Sequence, residues 1–129
     1  MQIKVGIDII EVDRIRQSID EIGDSFINRI FTETEKTYCE SRKKAKYEHY
    51  AARFAVKEAA FKAVSTLLKD KYSISWKNVE TVNDQNNKPT INFVALDKEV
   101  EKELKKIQSI DVSISHLKDY AIANVSILI

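Results

Sequence analysis

Apolar residues recur with strand-like and helical periods along most of the chain, and these periods predict its elements. The first stretch is rich in β-branched apolar residues, so it predicts a strand buried on at least one face, interrupted by Gly6 and Asp8. The predicted elements, in order, are a strand over 3–10, a helix over 11–22 stopped at Gly23, a short apolar piece over 26–31, a helix start at 32–35, a long helix over about 47–68, β patterns at 72–76 and 79–82, a turn over 84–89, a strand over 90–94, a helix over 96–107, and strands over 110–116 and 120–129.

The long central helix is the element around which the other elements are organised. Residues 53–62 are rich in alanine and contain no Gly or Pro, which favours a helix. Large apolar side chains at i, i+7 and i+14 mark one face for burial. These are Phe54, Phe61 and Leu68. Glu58 and Lys62 lie one turn apart on one side of the helix, which is also the spacing of an ordinary solvated ion pair.

The order of elements predicts an α+β fold, in which an antiparallel sheet packs against the long central helix and shorter helices. A chain of 129 residues is expected to form one domain spanning 1–129. The net charge of +1 provides no overall attraction to nucleic acid or membranes, so we expect neither as a partner. The single cysteine, Cys39, excludes an intrachain disulfide, and no apolar run matches a signal peptide or membrane span. We therefore expect a cytoplasmic protein.

Two carboxylates supply the candidate chemistry. Asp8 ends the predicted first strand and Glu58 lies on the central helix, so the two meet if that helix packs on that strand. Two nearby carboxylates repel each other unless a cation lies between them, and oxygen ligands suit Mg²⁺. Lys62, with Arg53 and the basic run 42–46 further out, would then neutralise phosphate oxygens. This arrangement suits phosphoryl or phosphodiester chemistry.

Each of these residues also has an ordinary structural interpretation. Asp8 can cap the following helix, and a basic run such as 42–46 is usually solvated. His116 ends a predicted strand, where a lone histidine is more often structural than catalytic. The residue pattern alone leaves these alternatives open.

Several motifs, read together in order, resemble one known family. Val5-Gly6-Ile7-Asp8 followed by the Arg53–Lys62 stretch resembles the two-part signature of 4′-phosphopantetheinyl transferases, and the whole chain is similar to their small bacterial type, the holo-[acyl-carrier-protein] synthases. The supporting matches are Phe26–Thr32, the hairpin from Asn83 to Pro89, Val112–His116 and Tyr120-Ala121.

This resemblance implies a reaction and roles for individual residues. Members of the family transfer 4′-phosphopantetheine from coenzyme A to a serine of apo acyl carrier protein, a step of fatty acid biosynthesis that releases 3′,5′-ADP. By resemblance, Asp8 and Glu58 hold Mg²⁺ with the coenzyme A pyrophosphate. Glu58 helps to deprotonate the serine, directly or through a metal-bound water. Lys62 stabilises the phosphate left behind. Lys44 and His116, as well as Arg53, match positions near the nucleotide and its 3′-phosphate.

The resemblance also implies partners. Arg14 lies on the first helix, which in this family docks the acidic recognition helix of the carrier protein. Small members of the family are homotrimers with sites between protomers.

Two departures from the family pattern leave other functions open. Ser65–Lys69 replaces a glycine-rich turn, and Ala52 stands where the family often has Gly. Glycines permit close approach of the backbone to a ligand. A non-catalytic module that binds an acidic partner through Arg14 and the basic run is therefore one alternative, and an unrelated Mg²⁺-dependent phosphohydrolase is another.

Overall fold

A three-stranded antiparallel sheet and one long helix lying against it form the centre of the structure, a computed structural model that describes residues 1–129. The strands are β1 (Ile3–Glu11), β2 (Val79–Asn83), β3 (Pro89–Phe93), β4 (Ser109–His116) and β5 (Tyr120–Leu128). The helices are α1 (Val12–Ile22), α2 (Asp24–Ile30), α3 (Glu33–Ser41), α4 (Lys46–Val64) and α5 (Lys98–Leu104). Short 3-10 turns cover Lys43–Ala45, Ser65–Leu67 and Trp76–Asn78.

The strands form two separate sheets. The larger has the order β1-β5-β4, with β5 in the middle and all pairs antiparallel. Its register places Asp8 opposite Ala123 and His116 opposite Ala121. The second sheet is the β2–β3 hairpin. The α+β class and the antiparallel sheet predicted from the sequence are confirmed.

Helix α4 is surrounded by protein on most of its circumference. Eleven of its 19 residues are buried, because the sheet packs on one side while α1 and α3 pack near its N-terminal half. Its many alanines permit this close packing, since a small side chain lets neighbouring backbones approach. Phe54 and Phe61, expected on the buried face, are only partly buried, because each lines a cavity.

Gly6 permits the closest approach between the sheet and α4. A Cβ atom at Gly6 would lie 1.8 Å from the carbonyl oxygen of Ala59 and 2.8 Å from the amide nitrogen of Ala63. Only glycine fits between these backbones. The strand runs unbroken through Gly6 and Asp8, so the predicted interruption is wrong and the glycine serves helix packing instead.

Local hydrogen bonds explain where the observed boundaries differ from the predicted ones. Helix α4 ends at Val64 and a 3-10 turn continues to Leu67, rather than one helix reaching Leu68. Residues 72–76, predicted as a β pattern, form turns instead: Asp70 accepts hydrogen bonds from the backbone of Tyr72 and the backbone and side chain of Ser73. None of the helices is long and apolar enough to cross a bilayer.

Candidate active site

The contact between Gly6 and α4 brings three of the predicted site residues together. Asp8 lies two residues after Gly6, on the same face of β1, and Glu58 directly precedes the Ala59 that Gly6 touches. One turn further along α4, the Lys62 ammonium donates to the Ile7 carbonyl at 2.8 Å and lies 3.4 Å from the Asp8 carboxylate. Lys62 thus pairs with β1, not with Glu58 as in a solvated helical pair. Asp8 does not cap α1 either, since Glu11 occupies the N-cap position.

Burial changes the proton affinity of both carboxylates. Burial raises the pKa of Asp8 above its usual value, and the neighbouring Lys62 opposes this rise. The pKa of Glu58 is also raised, first by burial and then by the charge on Asp8, whereas the nearby Trp76 side chain and the charge on Lys62 lower it. A carboxylate with raised proton affinity is suited to accept a proton, and a cation between the two would relieve their repulsion.

The two carboxylates fit Mg²⁺ only together with ligands from a substrate. The structure contains no group of three or more His, Cys, Asp or Glu side chains that could hold a metal ion. Mg²⁺ in proteins commonly takes one or two carboxylates and completes its shell with water and substrate phosphates. The oxygen donors of Asp8 and Glu58 match that pattern.

Glu58 lies between two cavities and is the only residue that lines both. The larger cavity, about 720 Å³, has Lys62, Tyr72 and Trp76 among its lining residues. The smaller, about 350 Å³, is lined by Asp8, Arg14 and residues of α1 and α2. Arg14 therefore shares a cavity with both carboxylates, whereas Lys62 lines the other cavity. Glu58 therefore borders two separate spaces.

Arg53 and His116 belong to a second cluster at the other end of α4. Arg53 is only 3% exposed and its guanidinium lies 4.1 Å from the ring centroid of Tyr38. The His116 Nδ1 lies 3.0 Å from a carboxylate oxygen of Glu48, and its ring contacts that of His49 with centroids 5.0 Å apart. Burial, together with the charges of His116 and two arginines, lowers the pKa of His49 to about 4.

The second cluster does not share a cavity with the carboxylates in one chain. From His49 to Glu58 the helix advances about 14 Å, at 1.5 Å per residue. Lys44 lies in the exposed 3-10 turn before α4 and makes no salt bridge. The structure thus joins Asp8, Glu58, Lys62 and Arg14, while the predicted nucleotide residues other than Lys62 lie elsewhere.

The sequence did not predict a buried ion pair beside Glu58. Lys57 and Glu35 are both fully buried and lie 2.7 Å apart, and the Lys57 ammonium also donates to the backbone carbonyls of Trp76 and Val79. Burial lowers the pKa of Lys57, and Glu35 opposes this change. The available signal was a lysine inside an apolar, alanine-rich helix, where such a residue is rarely buried without a partner. The partner itself, 22 residues away, has no local signature.

Comparison with known proteins identifies the family of this chain. Residues 4–125 match the 4′-phosphopantetheinyl transferase superfamily. The chain belongs to this superfamily. The holo-[acyl-carrier-protein] synthase of Ruminiclostridium cellulolyticum is 42% identical over 95% of this chain and 90% of its own. That of Koribacter versatilis is 40% identical over 97% of both chains. The resemblance read from the motifs is confirmed.

Solved structures of the superfamily share the fold. The synthase of Bacillus anthracis, in complex with coenzyme A (3′,5′-ADP), is 33% identical with a TM-score of 0.76, covering 96% of this chain and 94% of its own. The synthase of Helicobacter pylori, in complex with coenzyme A, is 26% identical with a TM-score of 0.77, covering 96% and 99%. The arrangement of sheet and helices described above is thus the arrangement of this enzyme family.

Proposed function

We propose that this protein transfers 4′-phosphopantetheine from coenzyme A to a serine of apo acyl carrier protein, with Mg²⁺ as cofactor and release of 3′,5′-ADP, for fatty acid biosynthesis. The observation that carries the proposal is the position of Glu58, which lies beside Asp8 and borders two cavities. A transferase must bring a donor and a protein acceptor to one group. The names of the relatives and the coenzyme A complexes of two of them support the same reaction.

In this mechanism each residue of the site has a defined task, and Glu58 has two. The serine hydroxyl comes from the Arg14 side, and its oxygen forms a bond to the phosphorus that carries pantetheine. The serine proton goes to Glu58, directly or through a water, which the raised pKa of Glu58 favours. The bond between that phosphorus and the bridging oxygen breaks, and 3′,5′-ADP leaves with the new negative charge near Lys62. Mg²⁺, held by Asp8 and Glu58 with pyrophosphate oxygens, would neutralise phosphate charge.

The nucleotide is bound, in this proposal, by a neighbouring protomer. Lys44, Arg53 and His116 carry positive charge or hydrogen-bonding groups, yet they lie away from Glu58 in the same chain. A homotrimer would allow one protomer to supply the carboxylates and the next to supply this cluster.

The exposed face of β1 supports such an assembly. Alternate residues of β1 place large apolar side chains on the face opposite α4, each at least 54% exposed. They are Ile3, Val5, Ile7 and Ile9. An apolar stripe of this size on an edge strand is a typical protein contact surface. Because two of these residues flank Asp8, a protomer that covers the stripe lies next to the site.

Arg14 is proposed to contact the acceptor. It lines the smaller cavity beside Glu58, whereas the neighbouring basic residue Arg16 is paired with Asp13 at 2.8 Å. Arg14 is therefore the positive charge of α1 that is available to an acidic helix of acyl carrier protein. Such a contact steers association and weakens with salt.

The deciding experiment is the intact mass of apo acyl carrier protein after incubation with this protein, coenzyme A and Mg²⁺. We expect a gain of one phosphopantetheine, lost on chelation and in the Glu58→Gln and Lys62→Met variants. Bound coenzyme A without any mass gain would favour the non-catalytic binding module. Release of product from coenzyme A without acceptor would favour a phosphohydrolase.

Mixing two inactive variants tests the shared site. Glu58→Gln removes the carboxylate and His116→Ala alters the second cluster, so each homotrimer lacks a complete site. Trimers refolded from a mixture contain some interfaces with both residues intact, and activity should return. If mixed trimers form and stay inactive, the two clusters do not cooperate across protomers.

A further inference from the structure

Trp76 carries a buried hydrogen-bond donor without a partner at good geometry. Its indole Nε1 is buried and forms no hydrogen bond of normal length and angle. Buried indole N–H groups usually pair, so an unpaired one calls for an explanation. The indole lines the 720 Å³ cavity together with Glu58, and the Trp76 side chain lowers the pKa of that carboxylate, as a nearby donor does. Hydrogen bonds of an active site are often poorly aligned without substrate and shorten when it binds.

Two contacts hold Trp76 in place. Its backbone carbonyl accepts a hydrogen bond from the Lys57 ammonium at 2.9 Å, and Lys57 is fixed by the buried carboxylate of Glu35. Its ring stacks on Phe54 with centroids 6.3 Å apart and planes 29° apart. Lys57 directly precedes Glu58, so this network ties the helix backbone beside Glu58 to the backbone of Trp76. The indole is therefore a rigid donor that can orient the flexible Glu58 side chain.

We propose that Trp76 is a positioning residue whose indole N–H binds one oxygen of the Glu58 carboxylate and leaves the other facing Asp8 and the reacting phosphate. The consequence for catalysis rests on the proposed function, but the contact itself does not. A glutamate side chain has three rotatable bonds before its carboxylate, and a fixed donor removes much of that freedom.

The contact can be tested in the protein alone. Trp76 is the only tryptophan of the chain, so a ¹⁵N-labelled sample has a single indole ¹H–¹⁵N resonance. We expect Glu58→Ala to shift this resonance and to speed its hydrogen exchange. Asp8→Asn is the matched control, because it removes a charge from the same site without removing the acceptor, and its shift should be smaller. If Asp8→Asn moves the resonance as much as Glu58→Ala, the contact does not exist.

Catalysis provides the second test. Trp76→Phe keeps an aromatic ring but loses the N–H, and 3-benzothienylalanine at position 76 keeps the bicyclic shape with sulfur in place of N–H. Both should lower kcat roughly three- to tenfold, the value of one hydrogen bond, with KM for coenzyme A unchanged. A benzothienyl variant with full kcat would overturn the positioning role. If the wild-type protein transfers nothing, the proposed function fails, while the indole resonance still decides whether the contact exists.

Discussion

Replacing Gly6 with alanine tests how the fold builds the site. The new Cβ would lie 1.8 Å from the Ala59 carbonyl oxygen, and ordinary contact begins at 3.4 Å, so β1 and α4 must separate by about 1.6 Å. The atoms in the way belong to the backbone of a helix and cannot rotate aside. Inserting a methyl group into a packed core typically costs 1–3 kcal/mol. We expect the free energy of unfolding to fall by about 3 kcal/mol, because the clash is with backbone on both sides.

The same separation should damage the site more than it damages the fold. Asp8 and Ile7 lie on β1, whereas Glu58 and Lys62 lie on α4, so a shift between them lengthens the 2.8 Å bond from Lys62 to the Ile7 carbonyl. A misplacement of about 1 Å can reduce a rate about 100-fold. We therefore expect a loss of at least about 100-fold in kcat/KM for carrier-protein transfer at a temperature where the variant remains folded.

Gly23→Ala is the matched control, because the chain contains only these two glycines. Gly23 has φ +81° and ψ −145° and nothing within 4 Å of an added Cβ, so alanine there costs only backbone strain, about 1–3 kcal/mol, and leaves the site intact. Urea unfolding followed by circular dichroism gives the stabilities, and the mass assay gives the rates. If Gly6→Ala retains wild-type transfer activity, the contact between β1 and α4 does not set the geometry of the site.

Three further predictions concern other groups. Lys57→Met should lower the free energy of unfolding in urea by about 3–5 kcal/mol, because it leaves the buried Glu35 carboxylate without its partner, and Lys57→Met with Glu35→Leu should cost less than the two single losses added. Because folding lowers the pKa of His49 from 6.5 to about 4, the unfolded chain binds more protons between these pH values. Stability should therefore fall as pH falls from 6.5 to 4, and His49→Phe should flatten that part of a melting-temperature profile; an unchanged profile would contradict the assignment. Arg14→Ala should raise KM for the carrier protein at low salt, and the difference from wild type should shrink at high salt; an effect independent of salt would show that Arg14 acts through packing.

The sequence predicted the elements whose hydrophobic period is clear. It failed where side chain-to-backbone hydrogen bonds determine the local conformation. The alternating strand at 110–116 and the helix at 11–22 each match an observed element within one residue. The stretch 72–76 alternates too, yet side chains of Asp70 and Asn78 hold its backbone in turns. Alternation describes which face would be buried, and it does not report a competing side chain-to-backbone bond.

For the site, the sequence predicted that the two carboxylates and Lys62 meet, but it did not predict how the other basic residues are grouped. Asp8, Glu58 and Lys62 meet as expected, because a glycine two residues before Asp8 allows close packing against an alanine-rich helix. Arg53 and His116 belong to a separate cluster around His49, which lies about 14 Å from Glu58 along α4. The sequence did not indicate Trp76, because its proposed role depends on a turn that returns the chain to α4.

The structure explains why the segment after α4 can lack a glycine-rich turn. No residue from 65 to 69 has a positive φ, so the 3-10 turn that follows α4 requires no glycine. The chain then returns to the site, and the side chains of Lys71, Tyr72 and Trp76 line the cavity beside Glu58. Glycine lets a ligand approach the backbone, whereas here side chains form that wall. We therefore expect binding of a ligand in this cavity to depend on the Tyr72 ring and the Lys71 charge, and substitution of either residue by alanine should weaken that binding.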